Sequence, residues 1–420
     1  MALNAEITSF VAECEDRCRE IFDNYQRIEE FNTGKVLRTF IEHRISARHF
    51  TPTTGYGYDD IGRDTLDRVF ARILGTESAL VRPQIVSGTH ALALCLYGIL
   101  RPGDTLLSAA GKPYDTLEQV IGINGTAGGQ GSLSEFGIRY RQADLRDGKV
   151  DLDAVLAALD KSTRMVLIQR SRGYDWRPSL SVSDIGTIAK AVHAAKPDTI
   201  VMVDNCYGEF TDTTEPGHVG ADLMAGSLIK NPGGGIAPTG GYIAGRQDLI
   251  DLAAARLTTP GIGSEVGSYA AGYQPFYQGL FLAPHVVMQA LRVATLCASV
   301  MERLGFAVHP RFDEPRNDII EAIRFENPDL LIRFIQEIQC FSPVDSEAVP
   351  EPWDMPGYQD PVIMAAGTFV AGASIELSAD APIRPPYICY LQGGLTYAHG
   401  KLALIHALSV LHEEGRLQKL

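Results

Sequence analysis

The stretch TIVMVDNCYGEF, residues 199–210, runs four apolar, β-prone residues into an acid, Asp204. A short continuous apolar run reads as a strand buried on both faces. A carboxyl group at its end then stands at the edge where open α/β sheets collect ligands. Outward from it, DTLLSAA (104–110), GIRYRQA (137–143), TRMVLIQ (163–169) and GGYIAGR (240–246) read as further short strands. THALALCLYGILR (89–101), DLDAVLAALD (151–160) and SVSDIGTIAKAVHAA (181–195) read as helices between them. That alternation predicts an α/β fold with a mostly parallel sheet covered on both faces. A lone Asp at a strand end also serves well as a cap for the next turn. Its role therefore depends on its neighbours.

The rest of the chain fits around this core. Residues 1 to about 50 read as charged helix, of the kind that packs on a neighbour or on a domain surface. FTPTTGYGYDD (50–60) breaks helix, and IGRDTLDRVFARILG (61–75) resumes it and stops at Gly75. APHVVMQALRVATLCASVMERLG (283–305) is a long helix bridging to a smaller α+β segment. There NDIIEAIRFE, VIMAAGTF and ASIELSA read as strands, and NPDLLIRFIQEIQ and YAHGKLALIHALSVLHEE as helices. Three units are expected: a helical arm at 1–55, a large domain at 56–300 and a small C-terminal domain at 301–420. The glycine-rich GINGTAGGQGSLSEFG (122–137) precedes no helix start and reads as a flexible loop.

Composition sets limits. Of 420 residues, 45% are hydrophobic and 21% charged, which suits a globular protein with a large core. The net charge of -14 does not attract nucleic acid or anionic membranes. No run reaches the roughly 18 apolar residues of a membrane span. MALNAEITSFVAECEDRC has no basic segment followed by an apolar one, so no secretory signal is expected. Seven scattered cysteines argue against a disulfide framework and for a cytoplasmic setting. Cys14 and Cys18 share a helix face without a second pair, and read as buried small residues. No HExxH or paired CxxC occurs, so no metal site is expected.

GSLIKNPGGGIAPTGG (226–241) holds one lysine, Lys230, with no other charge around it. It follows Asp204 at a distance long enough for a helix-sized connection and another strand, so that both could reach one crevice. Ser87, Gly88 and Thr89 open an apolar helix, whose N–H groups and dipole favour a phosphate, although Ser and Thr also cap helices ordinarily. Ser227 adds a hydroxyl near Lys230. Tyr114, just past the strand around Leu106, offers a ring for a planar ligand, or simply a half-buried loop tyrosine. Together these parts suit pyridoxal phosphate. Lys230 supplies the amine for a Schiff base, and Asp204 the acid for the pyridine nitrogen. Gly88, Thr89 and Ser227 supply donors for the phosphate. Apolar Leu228 and Ile229 favour the free amine, and glycines 233–235 give the segment room to move.

On these residues the chain resembles the fold-type I pyridoxal-phosphate enzymes of the cysteine/methionine metabolism group. Within it, the chain is most similar to the cystathionine β-lyase or methionine γ-lyase-like "aluminium resistance" proteins. The resemblance is carried by TTGYGYDDIGRDTLDRVFA, RPQIVSGTHAL, VDNCYGEF, SLIKNPGGGIAPTGGYIAG and RPPYICYLQGGLTYAHGK. It implies an aspartate-aminotransferase-like fold, with a seven-stranded, mostly parallel sheet in the large domain and a smaller α+β C-terminal domain. It implies a homotetramer, a dimer of dimers with shared active sites. By that match Lys230 holds the cofactor covalently, Asp204 meets the ring nitrogen and Tyr114 stacks on the ring. Ser87, Gly88, Thr89 and Ser227 hold the phosphate, and Tyr56 reaches it from the neighbouring subunit.

Two departures bear on substrate. The group has an arginine where this chain has Tyr58, and Arg63 stands nearby as a stand-in. IQRSRGYDWRPS (168–179) replaces a Pro/Asn-containing motif, so Gln169, Arg170 and Arg172 are candidates to contact cofactor or substrate. Arg384, in APIRPPY, is the candidate for the substrate carboxylate, alongside its reading as a surface residue of a proline turn. His90 is expected to pack or cap. The expected reaction is β- or γ-elimination on a sulfur-containing amino acid such as cystathionine or methionine, releasing keto acid, ammonia and a thiol. Transamination, racemisation or retro-aldol cleavage would use the same parts. So would a cofactor-binding protein with a regulatory or metal-stress role.

Overall fold

The computed structural model describes residues 4–123 and 129–417. Part of the loop expected at 122–137 thus lies outside the described residues. The large sheet contains β1 (Ser78–Arg82), β2 (Thr105–Ser108), β3 (Arg139–Gln142), β6 (Thr163–Gln169), β7 (Ile200–Asp204), β8 (Leu223–Ser227) and β9 (Gly241–Gly245). A small hairpin, β4 (Leu145–Arg146) and β5 (Lys149–Val150), lies apart from it. The order is β1-β9-β8-β7-β6-β2-β3, and β9 alone runs against the others. The strand ending in Asp204 is therefore the middle strand of seven.

Both faces of this sheet are buried, and the residues alternate between two cores. Leu106, Met165, Leu167, Ile200 and Met202 pack with the helices Gly88–Ile99 and Gln247–Leu257. Leu107, Val166, Ile168, Val201 and Val203 pack with the helices Ile61–Leu74 and Val182–Ala195. The strict period of two produces this division. Residues 163–169 form a strand over the span expected. The two strands of this sheet not anticipated by name are β1 and β8. Between Asp204 and Lys230 there is β8 and only a short 3-10 turn, Pro216–Val219.

The C-terminal sheet is wholly antiparallel, in the order β10 (Ala307–His309), β11 (Ile320–Arg324), β14 (Ile388–Gln392), β13 (Ser378–Pro382), β12 (Val362–Ala365). The strand expected at 373–379 is displaced to β13. Residues before it form a closed loop, in which the Glu376 carboxylate accepts the N–H groups of Phe369 and Val370, each at 2.9 Å. The bridging helix runs Gln274–Arg303, nine residues longer at its start than expected, because Pro275 rather than Pro284 occupies the first turn. By length and composition it is apolar enough to cross a membrane, yet 78% of its most apolar window is buried inside this molecule. The first helix, Ala5–Asp16, is no peripheral element. Ile7, Phe10, Val11 and Cys14 are buried in the second core beside Leu296 and Val300.

Candidate active site

Register brings Gln169, Asp204 and Ala225 side by side across β6, β7 and β8, two residues before β8 ends at Ser227. Chain ends of parallel strands thus converge on one edge, as does the N-terminus of the helix Gly88–Ile99. A cavity of about 260 Å³ opens there. Its lining includes Ser87, Gly88, Thr89, Asp204, Ser227 and Lys230. Tyr114 lines it as well, so seven of the residues singled out in the sequence meet in one place.

Lys230 Nζ lies 3.9 Å from the centroid of the Tyr207 ring. Burial opposes the lysine's charge, but Cys206, Tyr207 and Asp204 around it outweigh burial and raise the amine's pKa. The polar groups around Lys230, the Asp204 carboxyl among them, thus work against the expectation that its apolar neighbours favour the free amine. Asp204 accepts the Cys206 N–H at 3.2 Å. Burial pushes its pKa up, against the pull of Lys230. Tyr207 has a positive φ of 71°, a strained backbone for a bulky residue, and its hydroxyl accepts that of Ser374 at 3.0 Å.

The glycines after Lys230 also differ from expectation. A Cβ on Gly233 would lie 1.7 Å from the Leu228 carbonyl oxygen, and one on Gly234 would lie 2.4 Å from that of Gly279. They allow backbones to touch, and so fix the lysine-bearing turn rather than loosen it.

At the other end of the cavity, the Ser87 hydroxyl caps its helix by accepting the His90 N–H at 3.0 Å. His90 in turn accepts the Val86 N–H at 3.1 Å, a capping role as expected of it. The hydroxyls of Thr89 and Thr116 are 2.8 Å apart. Gly88 packs so closely that a Cβ would stand 3.0 Å from Cys206 Sγ. The Ser227 hydroxyl is buried and has no hydrogen-bond partner among the described residues.

A tyrosine wall faces Lys230. The Tyr114 N–H donates to Gln169 Oε1 at 2.6 Å, which fixes the residue at the start of its helix. Its hydroxyl is 2.6 Å from that of Tyr358, and its ring meets Tyr174 edge-on at 5.5 Å. Burial raises the Tyr114 pKa well above its ordinary value. Tyr174, Tyr207, Tyr358, Cys206 and Asp380 line the cavity without having been singled out. Tyr174 lay within the departing segment IQRSRGYDWRPS, and Asp380 was the one acid in a run of small residues four positions before Arg384. Nothing local distinguishes Tyr358.

Other candidates lie elsewhere. Tyr56 and Tyr58 are 70% and 62% exposed and pack on each other, outside this cavity. Arg63 is buried, donating to the carbonyls of Gly57 at 2.8 Å and Glu265 at 3.3 Å, so it anchors a loop and does not stand in for a phosphate ligand. Arg170 is buried against Asn205 and Glu215, and Arg172 against Asp318 and the His309 carbonyl. Neither lines the cavity. Gln169 acts through Tyr114. Arg384 pairs with Asp360 at 2.8 Å, in a separate crevice beside Tyr174 and Trp176.

The methionine gamma-lyase family profile matches residues 7–412. The uncharacterized protein YnbB of Bacillus subtilis is 52% identical over 395 residues, 94% of each chain. A Clostridium novyi structure described as a carbon-sulfur lyase involved in aluminium resistance is 53% identical, with a TM-score of 0.93 over 97% of this chain and 96% of that one. A more distant Campylobacter jejuni structure carries N'-pyridoxyl-lysine-5'-monophosphate. It shares 17% identity and a TM-score of 0.56, over 85% of this chain and 90% of its own, and shows that the fold is that of the type I pyridoxal-phosphate lyases. The chain belongs to the methionine gamma-lyase family.

Proposed function

We propose that this chain is a pyridoxal-phosphate-dependent carbon–sulfur lyase acting on a sulfur-containing amino acid such as cystathionine or methionine. The observation that carries the reading is the meeting of three groups in one cavity. These are the Lys230 amine, the Asp204 carboxyl at the end of the middle strand, and the unpartnered Ser227 hydroxyl beside the helix start at Gly88. A buried hydroxyl without a partner is costly, and a phosphate oxygen would satisfy it. The residues present fit the cofactor. Lys230 would hold it covalently, Asp204 its ring nitrogen, and Ser87, Gly88, Thr89 and Ser227 its phosphate, with Tyr114 against its ring. When bound, it supplies an electron sink that eases bond breaking at the substrate's α-carbon.

The chain's own groups divide the remaining work. Lys230 would act as the general base that takes the substrate's α-proton. Tyr207, held under the lysine nitrogen, limits where that amine can travel. The Tyr114–Tyr358 pair stays protonated because burial holds its phenol protons, and so it presents a donor to the cavity. In the same reading, Tyr56 completes the phosphate site of a neighbouring subunit in a homotetramer.

The test is a panel of amino acids incubated with purified, cofactor-loaded protein and assayed for keto acid, ammonia and thiol together. Release of all three is expected from wild type, and neither turnover nor visible cofactor absorbance from Lys230→Ala. Amino-group transfer without thiol release would replace elimination by transamination. Unchanged turnover and absorbance in Lys230→Ala would overturn the site assignment.

A further inference from the structure

The cavity contains a second carboxyl group that the scheme above leaves unused. Asp380, on β13 of the C-terminal sheet, is only 5% exposed and lines the cavity. Its Oδ2 accepts Gln392 Nε2 at 2.7 Å and the Tyr174 hydroxyl at 3.2 Å. Its Oδ1 has no hydrogen-bond partner among the described residues. Register explains the first contact: Gln392 ends β14 and pairs with Ser378 at the start of β13. A buried carboxylate oxygen left unpaired is costly, and burial pushes the Asp380 pKa up to about 7.

The surroundings specify what would relieve this. Among the described residues lining the cavity, Lys230 is the sole cation, facing Asp204 and Asp380. With Lys230 and Asp204 committed to the cofactor, Asp380 has no positive partner. Around it the aromatic rings are close. Tyr174 lies 5.8 Å from Tyr358 and 5.1 Å from Tyr390, centroid to centroid. A carboxylate set among aromatic rings is chemistry that recognises an ammonium ion, through charge-assisted hydrogen bonds and cation–π attraction. A substrate carboxylate would instead be repelled.

We infer that Asp380 is the docking carboxylate for an ammonium group of the substrate. The inference rests on the lyase reading of this cavity. The α-amine would be taken up by the cofactor in place of Lys230, so the ammonium in question is a second one, on the substrate's side chain.

The experiment titrates cofactor-loaded wild type and Asp380→Asn with L-lysine and with L-norleucine, its uncharged analogue. Affinity is read from the shift of the cofactor's visible absorbance. Loss of about ten-fold or more for lysine, with norleucine within about two-fold, assigns Asp380 to a side-chain ammonium. An equal loss of about ten-fold for both would mean that Asp380 supports amino-acid binding at large, and would overturn the inference. Affinities within about two-fold of wild type for both, in a variant that melts at the wild-type temperature, overturn the inference and leave the lyase reading standing. Asp380→Glu, which keeps the charge, should bind lysine more tightly than Asp380→Asn, and equal affinities would also overturn it. Absence of visible absorbance in loaded wild type would remove the lyase reading and this inference together.

Discussion

Ser227 carries a hydroxyl that nothing in the cofactor-free fold uses. Removing it should therefore not harm folding, because the buried polar atom has no bond to lose. Ser227→Ala is expected to melt at or slightly above the wild-type temperature without cofactor. It should bind pyridoxal phosphate about ten-fold or more weakly, since one hydrogen bond to a charged group is lost. Equal loss of stability with and without cofactor would assign the residue to packing. Glu209 shows the opposite economy. Burial above all, with Glu215 adding to it against the Tyr242 hydrogen bond, pushes its pKa up from 4.5 to about 8. Between those values the folded state holds a proton that the unfolded chain has released, so its contribution to stability falls as pH rises from about 4.5 to about 8. Glu209→Gln should flatten the fall of melting temperature across that window by up to about 1.4 kcal/mol per pH unit in stability. An unchanged slope would mean the carboxyl is ionised throughout. At this scale Lys230 and Asp204 were legible, because each stood alone in an uncharged run. Asp380, Tyr174 and Tyr358 were not, because they come from distant loops and strands and acquire meaning only by convergence.

The long helix Gln274–Arg303 does more than join two sheets. Gly279, one turn into it, lies so close to the lysine-bearing segment that a Cβ would stand 2.2 Å from the Gly233 carbonyl oxygen. The helix therefore serves as the anvil on which the turn after Lys230 is set. Gly279→Ala must push one backbone off the other, an overpacking cost of about 1–3 kcal/mol. The displacement falls three residues from Lys230. Differential scanning calorimetry should show a lower melting temperature, and a cofactor titration weaker binding in the same variant. Normal binding in a destabilised variant would mean the strain is absorbed elsewhere. Strands β2, β3, β6, β7 and β9 were legible as short apolar or β-prone runs. β8, Leu-Met-Ala-Gly-Ser, was expected only as another strand somewhere between Asp204 and Lys230, and was not placed because small residues have little β preference. Its Gly226 is required by packing: a Cβ would meet the Glu209 carboxylate and the Tyr242 ring, each at 2.6 Å. The 373–379 segment misled for the converse reason. Its alternating pattern fits a strand, but Glu376 is spent on capping a loop.

In the whole molecule, the loop bearing Tyr56 and Tyr58 is held firmly yet presents both rings outward. Arg63 ties Gly57 to Glu265, and the Gly267 N–H donates to the Tyr56 carbonyl at 3.0 Å. Val86, next to the phosphate-side Ser87, is exposed as well. A braced loop that displays large apolar side chains suits a surface covered by a second copy of the chain. The seven residues that meet in the cavity come from one chain, and in the proposed homotetramer Tyr56 would join them across such an interface. Two inactive variants then test the arrangement. Lys230→Ala lacks the amine but donates a sound Tyr56, whereas Tyr56→Ala keeps the amine and donates nothing. Unfolded together in equal amounts and refolded, half of the pairs should be mixed. Each mixed pair should regain one complete site, giving about a quarter of wild-type turnover. Activity no greater than the sum of the two variants refolded separately would place Tyr56 outside the neighbour's site, whatever the oligomeric state.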